Sequence, residues 1–306
     1  MILCVGEILV DLIGTTKNQE TAFQAFAGGA PFNVACGIAK WGGKVEFIGN
    51  VGTDLMGKFL VDFAATIPFF KTTITQDKKH NTTLAFVSND EDGERHFSFY
   101  RNHTADYHIS KSFLKHISDT SIIHLGSLLL SEPKGRMLAK KVVSFAKKHH
   151  LILSFDVNYR SDLFKDEHKA LKIYQDFASK ADYLKLSQDE LTLFTGETDY
   201  EKGLKKMAQP NQTIFLTLGK EGSLFFQNDR LVKVPSINVK PIDTTGAGDA
   251  FYAGILFNLD DKKIANLNDE EIYQIMRFGN VSGALSTTRK GAIDSLPTLA
   301  QIKELM

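Results

Sequence analysis

The 306 residues carry 36 lysines and arginines against 36 aspartates and glutamates, so the formal net charge is zero. That balance, with no long basic run, gives no case for a nucleic-acid or membrane partner and leaves a small molecule as the natural one. The length suits one α/β unit with a small appendage better than two equal domains.

The stretch from Met1 to Ile13 is apolar, yet it holds Glu7 and Asp11 and has no basic leader, so it reads as a first strand and not a secretory signal. Short β-rich runs follow, and strands are expected at residues 2–6, 45–50, 121–126, 151–156, 182–186 and 213–218. Between them, helical periodicity covers 31–41, 55–65, 134–149, 166–179 and 187–194. Such alternation predicts a doubly wound, mostly parallel sheet with helices on both faces. Two stretches interrupt it. Residues 9–27 show no helical pattern, and 82–101 reads as a hairpin, LAFVS and RHFSFYR around the turn signal Asn89-Asp90-Glu91-Asp92-Gly93. Together they predict a small projecting β-sheet, with Leu84, Phe86, Phe97 and Phe99 as one apolar face.

The two cysteines, Cys4 in the first strand and Cys36 in a helical run, exclude a disulfide framework and favour a reducing cytoplasm. Sequons at Asn81, Asn102 and Asn211 are then chance matches. The nine histidines show no pair at metal-ligand helical spacing beside a carboxylate or thiolate, so no zinc site is expected.

Chemistry concentrates in Asp243-Thr244-Thr245-Gly246-Ala247-Gly248-Asp249, followed by an apolar helix. Glycines at a helix start bare the backbone amides, and the helix dipole favours an anion there. Asp249 falls in the first turn, where it could take a proton from a hydroxyl attacking a phosphate. A plain glycine turn with a helix-stabilising aspartate describes the segment equally well. The segment Gly52 to Phe59 is a near miss to a phosphate-binding Walker loop, with Phe59 where a Ser or Thr hydroxyl should meet magnesium, and is not read as one.

DTTGAGDAFYAGIL resembles the C-terminal signature of the ribokinase-like, phosphofructokinase-B type sugar kinases. Gly28-Gly29-Ala30-Pro31-Phe32-Asn33 resembles their N-terminal signature, with Gly49 to Gly57 following at the usual distance. The similarity runs on through Glu7, Asp11, Asp156-x-Asn158-x-Arg160, Ser187-x-x-Glu190 and Thr217-x-Gly219-x-x-Gly222. It implies transfer of the ATP γ-phosphoryl group to a primary sugar hydroxyl, with Asp249 as base and Gly246, Ala247 and Gly248 as the anion hole. The sugar would meet Asp11, Gly28, Gly29, Asn33, Arg101, Asn158 and Arg160. The nucleotide would meet Ser187, Glu190, Thr217, Gly219, Gly222, Asn280 and Gly283. Glu190 would hold Mg2+ through water, and Asp243 and Thr245 would sit beside a monovalent cation such as K+. The projecting sheet would serve as lid and as the contact of a homodimer. Ser187-x-x-Glu190 is also a capping box, and the two roles are compatible.

Ala30-Pro31, His124-x-Gly126-Ser127 and Phe99-Tyr100-Arg101 are similar to the fructokinase branch, implying fructose to fructose 6-phosphate. Phe99-Tyr100-Arg101 with Asn158 and Arg160 also resembles 2-keto-3-deoxygluconate kinases, whose arginines suit an acidic substrate. From a different class, a sugar- or nucleotide-sensing protein could keep the fold without catalysis.

Overall fold

The computed structural model describes residues 1–17, 20–89 and 95–306. Its strands and helices, in chain order, open with β1 (Ile2–Val5), β2 (Leu9–Lys17), β3 (Glu20–Gly28), α1 (Ala30–Lys40), β4 (Val45–Gly52), α2 (Leu55–Ala64) and β5 (Lys71–Asp77). The middle of the chain forms β6 (Leu84–Asn89), β7 (Arg95–Tyr100), β8 (Ile122–Leu125), α3 (Pro133–Lys148), β9 (Ile152–Asp156), α4 (Glu167–Ala178), β10 (Tyr183–Ser187) and α5 (Gln188–Thr195). The last third forms α6 (Tyr200–Met207), β11 (Thr213–Thr217), β12 (Ser223–Gln227), β13 (Arg230–Val234), α7 (Ala247–Leu259), α8 (Asp269–Ser286) and α9 (Leu299–Glu304).

Nine strands form the main sheet in the order β13-β12-β11-β10-β9-β8-β1-β4-β5, parallel from β11 to β5 and antiparallel at β12 and β13. β1 is buried along its whole length, which is what an all-apolar Ile-Leu-Cys-Val strand at the centre of a two-sided sheet requires. Its side chains alternate between two cores. Ile2 and Cys4 join Phe32 of α1, Tyr252 of α7 and Ile272 of α8, whereas Leu3 and Val5 join Leu138 of α3 and Tyr174 of α4. Both cysteines are buried and unbridged. The chain winds outward from β1 through β4 to β5 and then returns through β8 to β11, so the strand order reverses between β1 and β8. Ligands collect beyond the carboxyl ends of strands at such a point, and Glu7 and Gly126 follow these two strands directly.

All six expected strands and all five expected helices are present. The edge strand β5, the β12–β13 hairpin and helices α6, α8 and α9 are additional to them. Of these, α8 carried a legible signal, since Asn268 accepts from the Glu271 amide while Glu271 accepts from that of Asn268, a capping box.

The projecting sheet has four strands in the order β3-β2-β6-β7; the turn signal at 90–93 lies outside the described residues. Its facing corrects one expectation. Register pairs Leu84 with Tyr100, Ala85 with Phe99 and Phe86 with Ser98, so Leu84 and Phe86 share a face with Tyr100 and not with Phe99. Ala85 and Phe99 pack with Leu9 and Leu128 toward the body. On the opposite face Phe86 lies 5.0 Å from Phe23 and 4.9 Å from Tyr100, ring centre to ring centre. The side chain of Phe97 lies outside the described residues.

Candidate active site

A cavity of about 300 Å3 opens between the carboxyl ends of the strands and the inner face of the small sheet, where Asp11 and Phe99 close it from above. Asp11 is the third residue of β2, and Gly28, paired with Leu9 on the neighbouring strand, leaves room for its side chain: a Cβ on Gly28 would stand 2.2 Å from Asp11 Oδ2. Gly28 thus shapes the wall without lining it, while Gly29, at φ 111°, and Asn33 do line it. Gly29 is the residue before α1, and its left-handed backbone turns the chain so that Asn33, in the first turn, reaches inward.

Asn33 Nδ2 donates to Asp249 Oδ2 at 2.8 Å, joining the two signature motifs across 216 residues of sequence. Asp249 stands in the first turn of α7, whose cap residue Gly246 has φ 75° and would drive a Cβ to within 2.5 Å of Ala292. First-turn amides have no carbonyl four residues earlier in the helix, so α7 presents donors beside the carboxylate; that of Ala247 reaches back to the Thr244 carbonyl at 3.3 Å. Burial holds the Asp249 carboxyl above the usual carboxylate range, against the Asn33 hydrogen bond and the charges of Lys185 and Arg160.

Asn158, with a left-handed φ of 35°, and Arg160 come off β9 into the same cavity. So does Lys185, which the sequence reading passed over. It belongs to β10 between Leu184 and Leu186, and a lysine inside an apolar, two-sided strand is itself a signal, since lysine is almost never fully buried unpaired. Its Nζ lies 3.0 Å from Asp156 Oδ2. Burial would discharge Lys185, but Asp156, Glu190 and Asp249 outweigh it and hold the ammonium charged. Burial in turn pushes the Asp156 carboxyl up to about 7 against the pull of Lys185. Glu7, also in the cavity wall, is fully buried with neither carboxylate oxygen hydrogen-bonded, and burial raises it to about 8. Burial thus favours its neutral form, which can donate to a ligand hydroxyl.

Arg101 is placed differently. Its Nε donates to Asp106 Oδ2 at 2.7 Å, Nη1 donates to Ser131 Oγ, and its guanidinium lies 5.1 Å over the Tyr107 ring. Buried in that network at the root of the small sheet, it does not line the cavity. The trio of His124, Ser154 and Tyr252 is likewise internal: His124 Nδ1 is 3.1 Å from Ser154 Oγ, and burial pulls its pKa down to about 3.

A second cavity, of about 650 Å3, lies along the other side of α7 and shares Thr244 and Gly248 with the first. Thr217, Gly219, Gly222, Asn280 and Gly283, the residues expected to meet the nucleotide, all line it. The Gly219 to Gly222 segment is also the turn of the β11–β12 hairpin. Ser187 and Glu190 line neither cavity. They form a capping box on α5, and the two Glu190 oxygens accept from the amides of Tyr159 and Ser187, each at 2.7 Å. Glu190, so engaged, fits magnesium held through water and not direct ligation. Beside the helix start, Asp243 accepts from the amides of Thr245 at 2.7 Å and Gly291 at 3.0 Å, while Thr245 Oγ1 is buried with no hydrogen-bond partner. That unspent oxygen next to a carboxylate fits a monovalent cation. Trp41 is buried in the core, donating to the Pro297 carbonyl, away from both cavities.

Residues 1–299 match the model of the pfkB family carbohydrate kinases. The chain is 37% identical over 319 residues to a probable fructokinase of Arabidopsis thaliana, covering all of this chain and 97% of that protein. It superposes on the fructokinase with bound ATP from Xylella fastidiosa with a TM-score of 0.89 and 31% identity, covering 99% and 97% of the two chains. A fructokinase double mutant from Vibrio cholerae O395, in fructose, ADP and potassium ion bound form, gives a TM-score of 0.89 and 30% identity over 99% and 97%. Two cavities that meet at one helix start, in a chain matched end to end, place this protein in the pfkB family of carbohydrate kinases, phosphotransferases that act on an alcohol group.

Proposed function

We propose that the protein is a fructokinase, transferring the γ-phosphoryl group of ATP to O6 of fructose. The observation that carries the reading is the position of Asp249, which lines the first cavity directly after Gly248, a residue that both cavities share. A hydroxyl delivered from the first cavity gives its proton to Asp249. Its oxygen bonds to the γ-phosphorus arriving from the second, and the bond to ADP breaks on the far side. The amides opening α7 face the charge on the transferring group. Magnesium, when bound with ATP, neutralises the β- and γ-phosphates. Lys185 adds fixed positive charge from below, and the small sheet keeps out water that could take the phosphoryl group instead.

Fructose is favoured over 2-keto-3-deoxygluconate because the Arg101 guanidinium is already paired with Asp106. Of the two arginines that resemble a keto-acid site, Arg160 lines the cavity and Arg101 does not. The fructokinases among the relatives support the same choice. In a coupled ADP-release assay over fructose, 2-keto-3-deoxygluconate, ribose, glucose, mannose and adenosine, fructose should give the highest kcat/KM. Faster turnover of the keto acid would overturn the substrate and leave the kinase standing. The buried thiols of Cys4 and Cys36 suit work in a reducing cytoplasm.

The small sheet supports a homodimer. Phe23 is 49% and Tyr100 64% exposed on its outer face, next to half-buried Phe86, an apolar surface on a sheet with open edges. Pairing two such faces about a twofold axis would cover both. Light scattering should give the mass of two chains for the wild type and of one for the Phe23→Asp, Tyr100→Asp variant, because buried charge costs desolvation. A monomeric wild type, or a variant still dimeric, would remove the lid contact.

A further inference from the structure

The segment that enters the β6–β7 hairpin and the segment that leaves it are held together outside both cavities. Asn81 bridges Thr104, and the Ala105 amide donates to the Asn81 carbonyl at 2.8 Å. Beside this crossing stand Asp77, the last residue of β5, His80 on the entering segment and His108 on the leaving one. All three are half-buried, and one ligand atom from each lies within 4.8 Å of the others. His80 Nδ1 is 2.8 Å from Asp77 Oδ2, and the two imidazole rings lie 3.6 Å apart, tilted by 42°. The sequence gives no hint of it, because the two histidines are 28 positions apart and no helix carries both.

We propose that Asp77, His80 and His108 form a binding site for a first-row transition dication of the Zn2+ type, clipping together the two ends of the β6–β7 hairpin. Two imidazoles at this separation repel each other when both are protonated. As neutral ligands they share one cation, and Asp77 supplies the negative charge. Around a tetrahedral ion with bonds of about 2.0–2.2 Å, the ligand atoms stand roughly 3.3 Å apart, inside the 4.8 Å within which the three already lie, and the two rings swing out of face contact as the ion enters. Nitrogen and carboxylate donors select zinc-like ions over Mg2+, which prefers an octahedron of oxygens. Three protein ligands leave a fourth position to water. The competing group is Lys134, whose Nζ lies 2.9 Å from His108 Nδ1. Lys134 is exposed at the start of α3 and can swing into solvent as the ion enters. The site is independent of which sugar the enzyme phosphorylates.

The test is calorimetry with Zn2+, and visible absorption with Co2+, on the nucleotide-free full chain. The wild type should bind one ion per chain. His80→Ala and His108→Ala should each weaken binding by about tenfold or more, while their melting in chelator confirms the fold. Lys134→Ala, a surface change, should tighten binding by removing the competing ammonium. No saturable binding by the wild type, equal affinity in the histidine variants, or an unchanged or weaker affinity in Lys134→Ala would each overturn the site.

Discussion

Asp249→Asn should lower kcat by about 100-fold or more while leaving the KM for sugar within a few-fold of wild type. The substitution keeps the shape of the side chain and removes the proton acceptor. Asn33 Nδ2 donates to Asp249 Oδ2, so the amide of the variant must turn its own oxygen toward Asn33. Its NH2 then points at the substrate, where a donor replaces the base. A loss of this size corresponds to about 3 kcal/mol of transition-state stabilisation, since each factor of ten is about 1.4 kcal/mol. The pH profile supplies a second readout. Asp249 must be ionised to act, and burial raises its pKa. The acid limb of kcat/KM in the wild type should therefore lie above the ordinary carboxylate range, and the variant should lose that limb. Turnover near the wild-type rate would make Asp249 a helix-start residue and move the base elsewhere.

The helix start at Gly246 was legible in the sequence because its chemistry is local. A left-handed cap, bare amides and a first-turn carboxylate are properties of seven consecutive residues. The parallel sheet was legible for a similar reason, each strand being a short apolar run closed by turn residues. The facing of the small sheet was not. Alternation fixes which residues share a side within one strand, but the relation between two strands depends on the register across the turn. One residue of slip exchanges the faces, and the register that pairs Ala85 with Phe99 separates Phe86 from Phe99. Arg101 and Glu190 show a different limit. Each is a charged residue in a matching motif, yet whether it faces ligand or protein depends on Asp106 for one and on the Tyr159 amide for the other. Lys185 was hidden because its partner, Asp156, lies 29 residues away on the neighbouring strand.

Lys185→Met should produce the largest loss of stability among single changes in the cavity, and the loss should grow with pH. Methionine fills much of the same volume but leaves the Asp156 carboxylate buried without its ion partner, a change of about 3–5 kcal/mol where such pairs are broken. Asp156 can escape part of that cost by taking up a proton. Its folded pKa is already raised to about 7 by burial, and Lys185 is what pulls it down, so removing Lys185 raises it further. A carboxyl whose folded pKa exceeds its unfolded value of about 4 binds its proton more tightly in the native state. Its contribution to stability is present below about pH 4 and is lost as pH rises through the folded pKa. In the variant that loss extends to higher pH than in the wild type. The melting temperatures of the two proteins should therefore lie close together in acid and diverge toward alkaline pH. Activity should respond in the same direction, because Lys185 also holds the pKa of Asp249 down, and the acid limb of the surviving kcat/KM should move to higher pH. Thermal melting across the pH range decides the matter: a deficit that does not change with pH would mean that Lys185 contributes packing to the cavity floor and no charge.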